Sequence, residues 1–180
     1  MNRQASALPQ RLLWLLLPAC VLLADWASKA WVLRRLQPGE SLVVIRGFFN
    51  LTLGFNSGAI FGSFQTAPIW LRYSLFTIAA IAALGYFGRE FLKRETSTVQ
   101  RVALGLILGG ALGNGLDRIL YGAVVDFLDF YAKDWNLGFT YIHYWPYWAF
   151  NLADSCILSG AILFGISLLR RERRPETRPV

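Results

Sequence analysis

Two carboxylates, Asp126 and Asp154, sit in apolar surroundings with no Lys or Arg within a helical turn. Their contexts are Ala123-Val124-Val125-Asp126-Phe127 and Phe150-Asn151-Leu152-Ala153-Asp154. They lie at the two ends of one connecting segment, which can bring them together. Carboxylates that share a site do not both ionise easily, so one of them keeps its proton toward neutral pH. Such a pair can take a proton from water with one member and protonate a carbonyl oxygen with the other. From these residues alone three readings stay open: hydrolytic catalysis, a proton or ion relay, and mutual structural satisfaction.

Other polar residues gather at the same depth. Asp25 and Lys29 are four apart, with the acid first, an order that suits an ion pair on one helix face and offsets the burial of both. Asp117 and Arg118 are adjacent, so they face different ways and need different partners. The amides Asn56, Asn114 and Asn151 fall on the same side of the chain's apolar segments. Ionisable groups within apolar spans are costly, which makes their clustering the main functional signal.

Several chemistries are excluded or weakened. His143 is the one histidine, so no histidine-rich metal site exists, and it reads as an aromatic neighbour of Tyr144 and Trp145. Ser28 neighbours Lys29 but points to another helix face, which argues against a serine–lysine dyad. Neither a GxSxG elbow nor a P-loop occurs. Cys20 and Cys156 lack metal-ligand spacing and read as small buried hydrophobes. Asp129 and Asp134 lie in the same segment as Asp126 but outside its Val-Val-Asp-Phe context.

The elements that must position these groups are membrane spans. The 180 residues are 55% hydrophobic, with a formal net charge of +7, and the mean hydropathy is +0.41. Positive charge concentrates beside apolar runs, as at Arg170, Arg171, Arg173 and Arg174. That placement suits membrane orientation and anionic lipid, and excludes nucleic acid as a partner. Apolar runs over about 12–33, 68–87, 102–120 and 151–169 predict four transmembrane helices. The first resembles a signal peptide with a cleavage box at Leu17-Pro18-Ala19-Cys20, but it continues to Leu33, so an uncleaved helix is expected. The excess of Lys and Arg before the first span, between the second and third, and after the fourth puts both termini in the cytoplasm.

The loops of about 34–67 and 121–150 then face outward. Within the first, Ser41–Ile45 and Phe48–Leu53 read as short strands of a small sheet, punctuated by Gly47, Gly54, Gly58 and Gly62. Within the second, Tyr141, Tyr144, Trp145, Tyr147 and Trp148 suit an interfacial belt. Gly105, Gly109 and Gly113 line one face of the third helix for close packing and are expected to hold Asn114 and Asp117 beside the fourth helix. The domain expectation is one integral membrane domain over 1–169 and a basic cytoplasmic tail over 170–180, disordered, with no long internal repeat and no second soluble domain.

Four segments, in order, resemble the lipoprotein signal peptidase (signal peptidase II) family. They are Asp25-Trp26-Ala27-Ser28-Lys29; Asn50-Leu51-Thr52-Leu53-Gly54-Phe55-Asn56-Ser57-Gly58-Ala59-Ile60-Phe61-Gly62; the run from Gly109 to Arg118 followed by Gly122 to Phe127; and Phe150 to Ser155. The resemblance covers roughly positions 20–165. It implies an all-α membrane protein of four transmembrane helices, with a small β-sheet and a short helix on the outer (periplasmic) face. It implies a bacterial inner-membrane aspartic endopeptidase that cleaves prolipoproteins before a diacylglyceryl-modified cysteine. On motif positions, Asp126 and Asp154 would be the catalytic dyad. Asp25, Lys29, Asn56, Asn114, Asp117, Arg118, Asn151 and Ala153 would support it or contact substrate. The outer sheet would cradle the substrate, and the last outer loop would supply a covering helix. No cofactor or metal is implied. The partners would be the prolipoprotein, membrane lipid and globomycin-type peptide inhibitors, and the protein would act as a monomer. The stretch between the two aspartates is long for the family, with extra aromatics around Phe139 to Trp148. The runner-up from another class is a small proton-coupled transporter using the same aspartates as a relay.

Overall fold

In the computed structural model the described residues are 13–57, 68–93, 95–138, 140–146 and 149–172. The chain forms α1 (Leu16–Arg35), β1 (Ser41–Ile45), β2 (Phe49–Asn56), α2 (Ile69–Leu92), α3 (Thr98–Tyr121), β3 (Val124–Asn136), β4 (Tyr141–Pro146) and α4 (Leu152–Glu172). Helix α3 is central and packs against α1, α2 and α4. Among the described residues, three helices are long and apolar enough to cross a membrane: Leu16–Arg35, Thr98–Tyr121 and Leu152–Arg170. Helix α2 has 24 residues, a length of about 36 Å. Large side chains such as Ile78, Ile81, Leu158 and Ile162 lie exposed on the bundle, an arrangement suited to a hydrocarbon solvent.

Glycines set the helix spacing. A Cβ at Gly109 would lie 2.6 Å from Val21 Cβ and 2.7 Å from Pro18 O, one at Gly105 would meet Leu17, and one at Gly113 would meet the Asp25 carboxylate. The stripe Gly105–Gly109–Gly113 therefore seats α1; of the two residues expected beside the fourth helix, Asn114 reaches Asp154 there, whereas Asp117 bonds Lys29 of α1 and Val125 N. Gly110, one residue off the stripe, is the position against α4: a Cβ there would lie 2.5 Å from Ala153 O. Gly160 of α4 answers it against Ala103 O at 2.6 Å. Successive helix residues point about 100° apart, so Gly109 and Gly110 serve different neighbours.

Helix α3 starts with a reciprocal cap. Gln100 N donates to Ser97 Oγ at 3.3 Å and Ser97 N donates to Gln100 Oε1 at 3.1 Å. It ends at Gly122, whose φ of +69° lets its N–H reach Arg118 O at 3.1 Å. That left-handed residue turns the chain at once into β3, placing Asp126 close to the helix end.

The strands form one antiparallel sheet in the order β1-β2-β3-β4. Strand β2 pairs with β3 through Leu51↔Leu128, Gly54↔Asp126 and Asn56↔Val124, with a bulge between Leu51 and Gly54. The bulge shifts register so that Asn56 is brought beside Asp126. Val32 of α1, Leu36 just after it, Leu53 of β2, and Val125 and Phe127 of β3 form a buried core that clamps the sheet onto the helix end.

The two strands expected in the first loop are present. The second loop differs from expectation: its described residues form the hairpin β3–β4, not a covering helix. Strand β3 alternates core-facing Val125 and Phe127 with Asp126 and Leu128, a period-2 pattern that a helix would scatter around its axis. The expectations for Gly58, Gly62, Tyr147, Trp148 and the tail after Glu172 lie outside the described residues, and those for the side chains of Tyr141, Tyr144 and Trp145 outside the described side chains.

Candidate active site

Midway along α1, Asp25 and Lys29 are buried, at 1% and 2% exposure. Lys29 Nζ lies 2.7 Å from Asp25 Oδ2 and 2.8 Å from Asp117 Oδ2. It also donates to Asn114 Oδ1 at 3.0 Å. One ammonium thus joins α1 to α3 with all three of its protons directed at acceptors. The remaining carboxylate capacity is used by backbone donors: Ala153 N reaches Asp25 Oδ1 at 2.9 Å, and Val125 N reaches Asp117 Oδ2 at 3.0 Å. Asp25 thereby holds the first turn of α4, and Asp117 holds the start of β3. The adjacent Arg118 points elsewhere, as its neighbour relation requires, donating to Asn114 O at 3.2 Å. Its charge is within electrostatic reach of Asp154, Asp126 and Asp117.

Asn151 and Asp154 form a reciprocal cap on α4. Asp154 N donates to Asn151 Oδ1 at 2.9 Å, and Asn151 N donates to Asp154 Oδ2 at 3.3 Å. Because Asn151 Oδ1 is committed to the cap, its Nδ2 must face the other way. It donates to Asp126 Oδ1 at 2.9 Å, with Asn114 Oδ1 at 3.1 Å and Val125 O at 3.2 Å sharing its protons. Asn114 is oriented by the same logic. Its Oδ1 accepts from Lys29 and Asn151, so its Nδ2 donates to Asp154 Oδ1 at 2.7 Å. Asn56 Nδ2 completes the set on Asp126 Oδ2 at 3.0 Å.

Asp126 and Asp154 are therefore bridged through two amides, Asn114 oriented by Lys29 and Asn151 by the α4 cap. Burial pushes the Asp126 carboxyl up to about 7. The hydrogen bond from Asn56 opposes this, the Asp154 charge adds to it, and Asn151 and Lys29 oppose it. A carboxyl that keeps its proton to neutral pH beside a second carboxylate can serve as an acid, and its partner as a base. Among the described residues, no three His, Cys, Asp or Glu side chains converge as metal ligands.

All ten residues singled out from sequence are linked in this one cluster. Asp129 is not: it accepts from Asn50 Nδ2 at 3.0 Å, farther along the sheet. Asp134 sits at φ +57° in the hairpin. Sequence reasoning missed the two backbone groups of Val125, for which only adjacency to Asp126 gave a signal. It also missed the cap, although Asn151 and Asp154 have the spacing that announces one.

A family model described as signal peptidase (SPase) II matches residues 17–170. The chain belongs to the signal peptidase II family. A lipoprotein signal peptidase of Chromobacterium violaceum is 41% identical over 161 residues, covering 89% of this chain and 93% of that one. One of Cupriavidus necator is 43% identical over 176 residues, covering 96% and 91%. A solved bacterial membrane enzyme, determined in meso at 2.3 Å, superposes with a TM-score of 0.75 at 31% identity, over 93% of each chain. This signal peptidase II is a bacterial membrane protease that removes signal peptides from prolipoproteins. The transporter alternative has no support among these relatives.

Proposed function

We propose that this signal peptidase II is an aspartic endopeptidase whose dyad is Asp126 and Asp154. It cleaves the bond before a diacylglyceryl-modified cysteine. The observation that carries the reading is the amide bridge: the Asn114 side chain bonds Asp154, the Asn151 side chain bonds Asp126, and the two amides bond one another. Asp126, with its pKa raised to about 7 by burial, holds the shared proton and gives it to the scissile carbonyl oxygen. Asp154 takes a proton from the attacking water. The tetrahedral intermediate collapses as Asp154 gives its proton to the leaving amine and Asp126 takes back a hydroxyl proton, which restores the dyad. Lys29, Asp25, Asp117 and the N–H of Ala153 and Val125 keep α1, α3, β3 and α4 in register. Asn56 and Arg118 border the site and contact substrate.

The active unit is one integral membrane domain over 1–169 with a basic tail over 170–180. Helix α2 crosses the membrane with the other three helices, both termini are cytoplasmic, and the dyad faces the periplasm of the inner membrane. The excess of Lys and Arg between α2 and α3 and after α4 supports this orientation. The lipidated substrate enters laterally from the outer leaflet as a partner of a monomer, and globomycin-type peptides occupy the same site.

The test is cleavage of a diacylglyceryl prolipoprotein peptide by purified protein in detergent, with and without a chelator. Asp126→Asn and Asp154→Asn are each expected to lose at least about 10²-fold in turnover while still unfolding in one cooperative transition. A folded Asp126→Asn variant with full activity would refute the dyad.

A further inference from the structure

The face of α1 opposite Asp25 and Lys29 carries a groove of about 410 Å³ lined by Trp26, Ala27, Ala30, Trp31, Arg34 and Arg35. The two alanines leave a trough between two large indoles, which are 52% and 47% exposed. The groove spans about 13 Å of helix rise, and its basic end is the last turn of a membrane-length helix. Arg35 lies over the Trp31 ring, with its guanidinium carbon 5.6 Å from the centroid. That contact holds the planar fork at the mouth of the groove. No carboxylate lies within salt-bridge distance of Arg34 or Arg35 among the described residues.

Positive charge at a helix C-terminus is favourable by itself. That alone calls for neither a trough nor two exposed indoles lying along it. The combination has the shape and order of a phospholipid: guanidinium groups for a phosphate, indoles at headgroup depth, and an apolar trough for the start of an acyl chain. We propose that this groove is a binding site for an anionic glycerophospholipid, with the phosphate held by Arg34 and Arg35 and one acyl chain between Trp26 and Trp31. The groove lies outside the network around Asp126 and Asp154. It therefore binds lipid independently of the catalytic reading, and for either orientation of the protein in the membrane.

The test uses the full chain in neutral detergent micelles and reads thermal unfolding. Short-chain phosphatidylglycerol is titrated in parallel with phosphatidylcholine of the same chain length and with inorganic phosphate. The expected result is a saturable rise in Tm with phosphatidylglycerol alone. The Arg34→Gln/Arg35→Gln variant should need at least about tenfold more of it, and Trp31→Leu should also weaken the response. If the double variant does not fold, Arg34→Gln alone carries the comparison. An equal rise with phosphatidylcholine would overturn the proposal, as would a rise with free phosphate. A double variant titrating like wild type would do the same, as would one that loses equal stability in every lipid, which is the signature of a helix-dipole role alone.

Discussion

Gly110→Ala places one methyl group where the bundle has no room for it. The new Cβ would lie 2.5 Å from Ala153 O and 2.8 Å from Ile157 Cγ1. Ile157 can change rotamer, but a backbone carbonyl in the first turn of α4 cannot. Helix α4 must retreat by about 0.9 Å for that contact to reach the 3.4 Å at which ordinary packing begins. Asp154 follows Ala153 directly. If the whole retreat is taken along its bond, the 2.7 Å hydrogen bond from Asn114 lengthens to about 3.6 Å and is lost. Overpacking of this kind costs about 1–3 kcal/mol in stability, and a misplacement near 1 Å costs about 10²-fold in rate. The assay is kcat and kcat/KM on the diacylglyceryl peptide, with a melting curve to show that the variant is folded. Gly85→Ala in α2 is the control, because a Cβ there meets nothing within 4 Å, and its activity should equal wild type. A folded Gly110→Ala enzyme with wild-type kcat would refute the claim that α3–α4 contact distance sets the dyad.

Asp126, raised to about 7 by burial, keeps its proton below that pH and loses it above, so kcat/KM should fall on a basic limb near pH 7. Asn56→Ala removes a hydrogen bond that lowers this pKa, so the limb should move to higher pH, and a limb that stays in place would contradict the assignment. The same raised carboxyl means that the folded state binds the extra proton between about pH 4 and 7. The contribution of Asp126 to stability should therefore decline as pH rises through that window, and Asp126→Asn should remove the dependence in a pH series of unfolding curves. Lys29→Met leaves Asp25 and Asp117 without their shared cation and should destabilise the fold by about 3–5 kcal/mol. A loss below about 1 kcal/mol in denaturant unfolding would show that the ion pairs are dispensable.

Much of this protein is written locally. The apolar runs locate the helices because a span needs a continuous length of lipid-compatible residues. The first-loop strands are read from their β-branched and aromatic residues. Asp25 and Lys29 pair because a helix brings positions four apart together. The four motifs named all ten residues that the fold links into one cluster, because a buried polar cluster depends on residue type more than on surrounding shape.

Other features depend on which surfaces meet. Sequence spacing shows that Gly105, Gly109 and Gly113 share a face, but only packing decides that this face receives α1 while Gly110 receives α4. The pairing of Lys29 with Asp117, across 88 positions, requires that packing first. The segment after Asp126 was expected to hold a helix, yet pairing with β2 and β4 draws it into a hairpin, since strand bonds are supplied by distant partners. The orientation of Asn151 follows from its simultaneous bonds to the α4 cap and to Asp126. Composition and periodicity located the apolar helices and the first-loop strands, but not the burial of Cys20, which reads as buried from its apolar context and is exposed. The tertiary structure decided which groups share protons, because hydrogen bonds form over about 3 Å and sequence distance carries no such length.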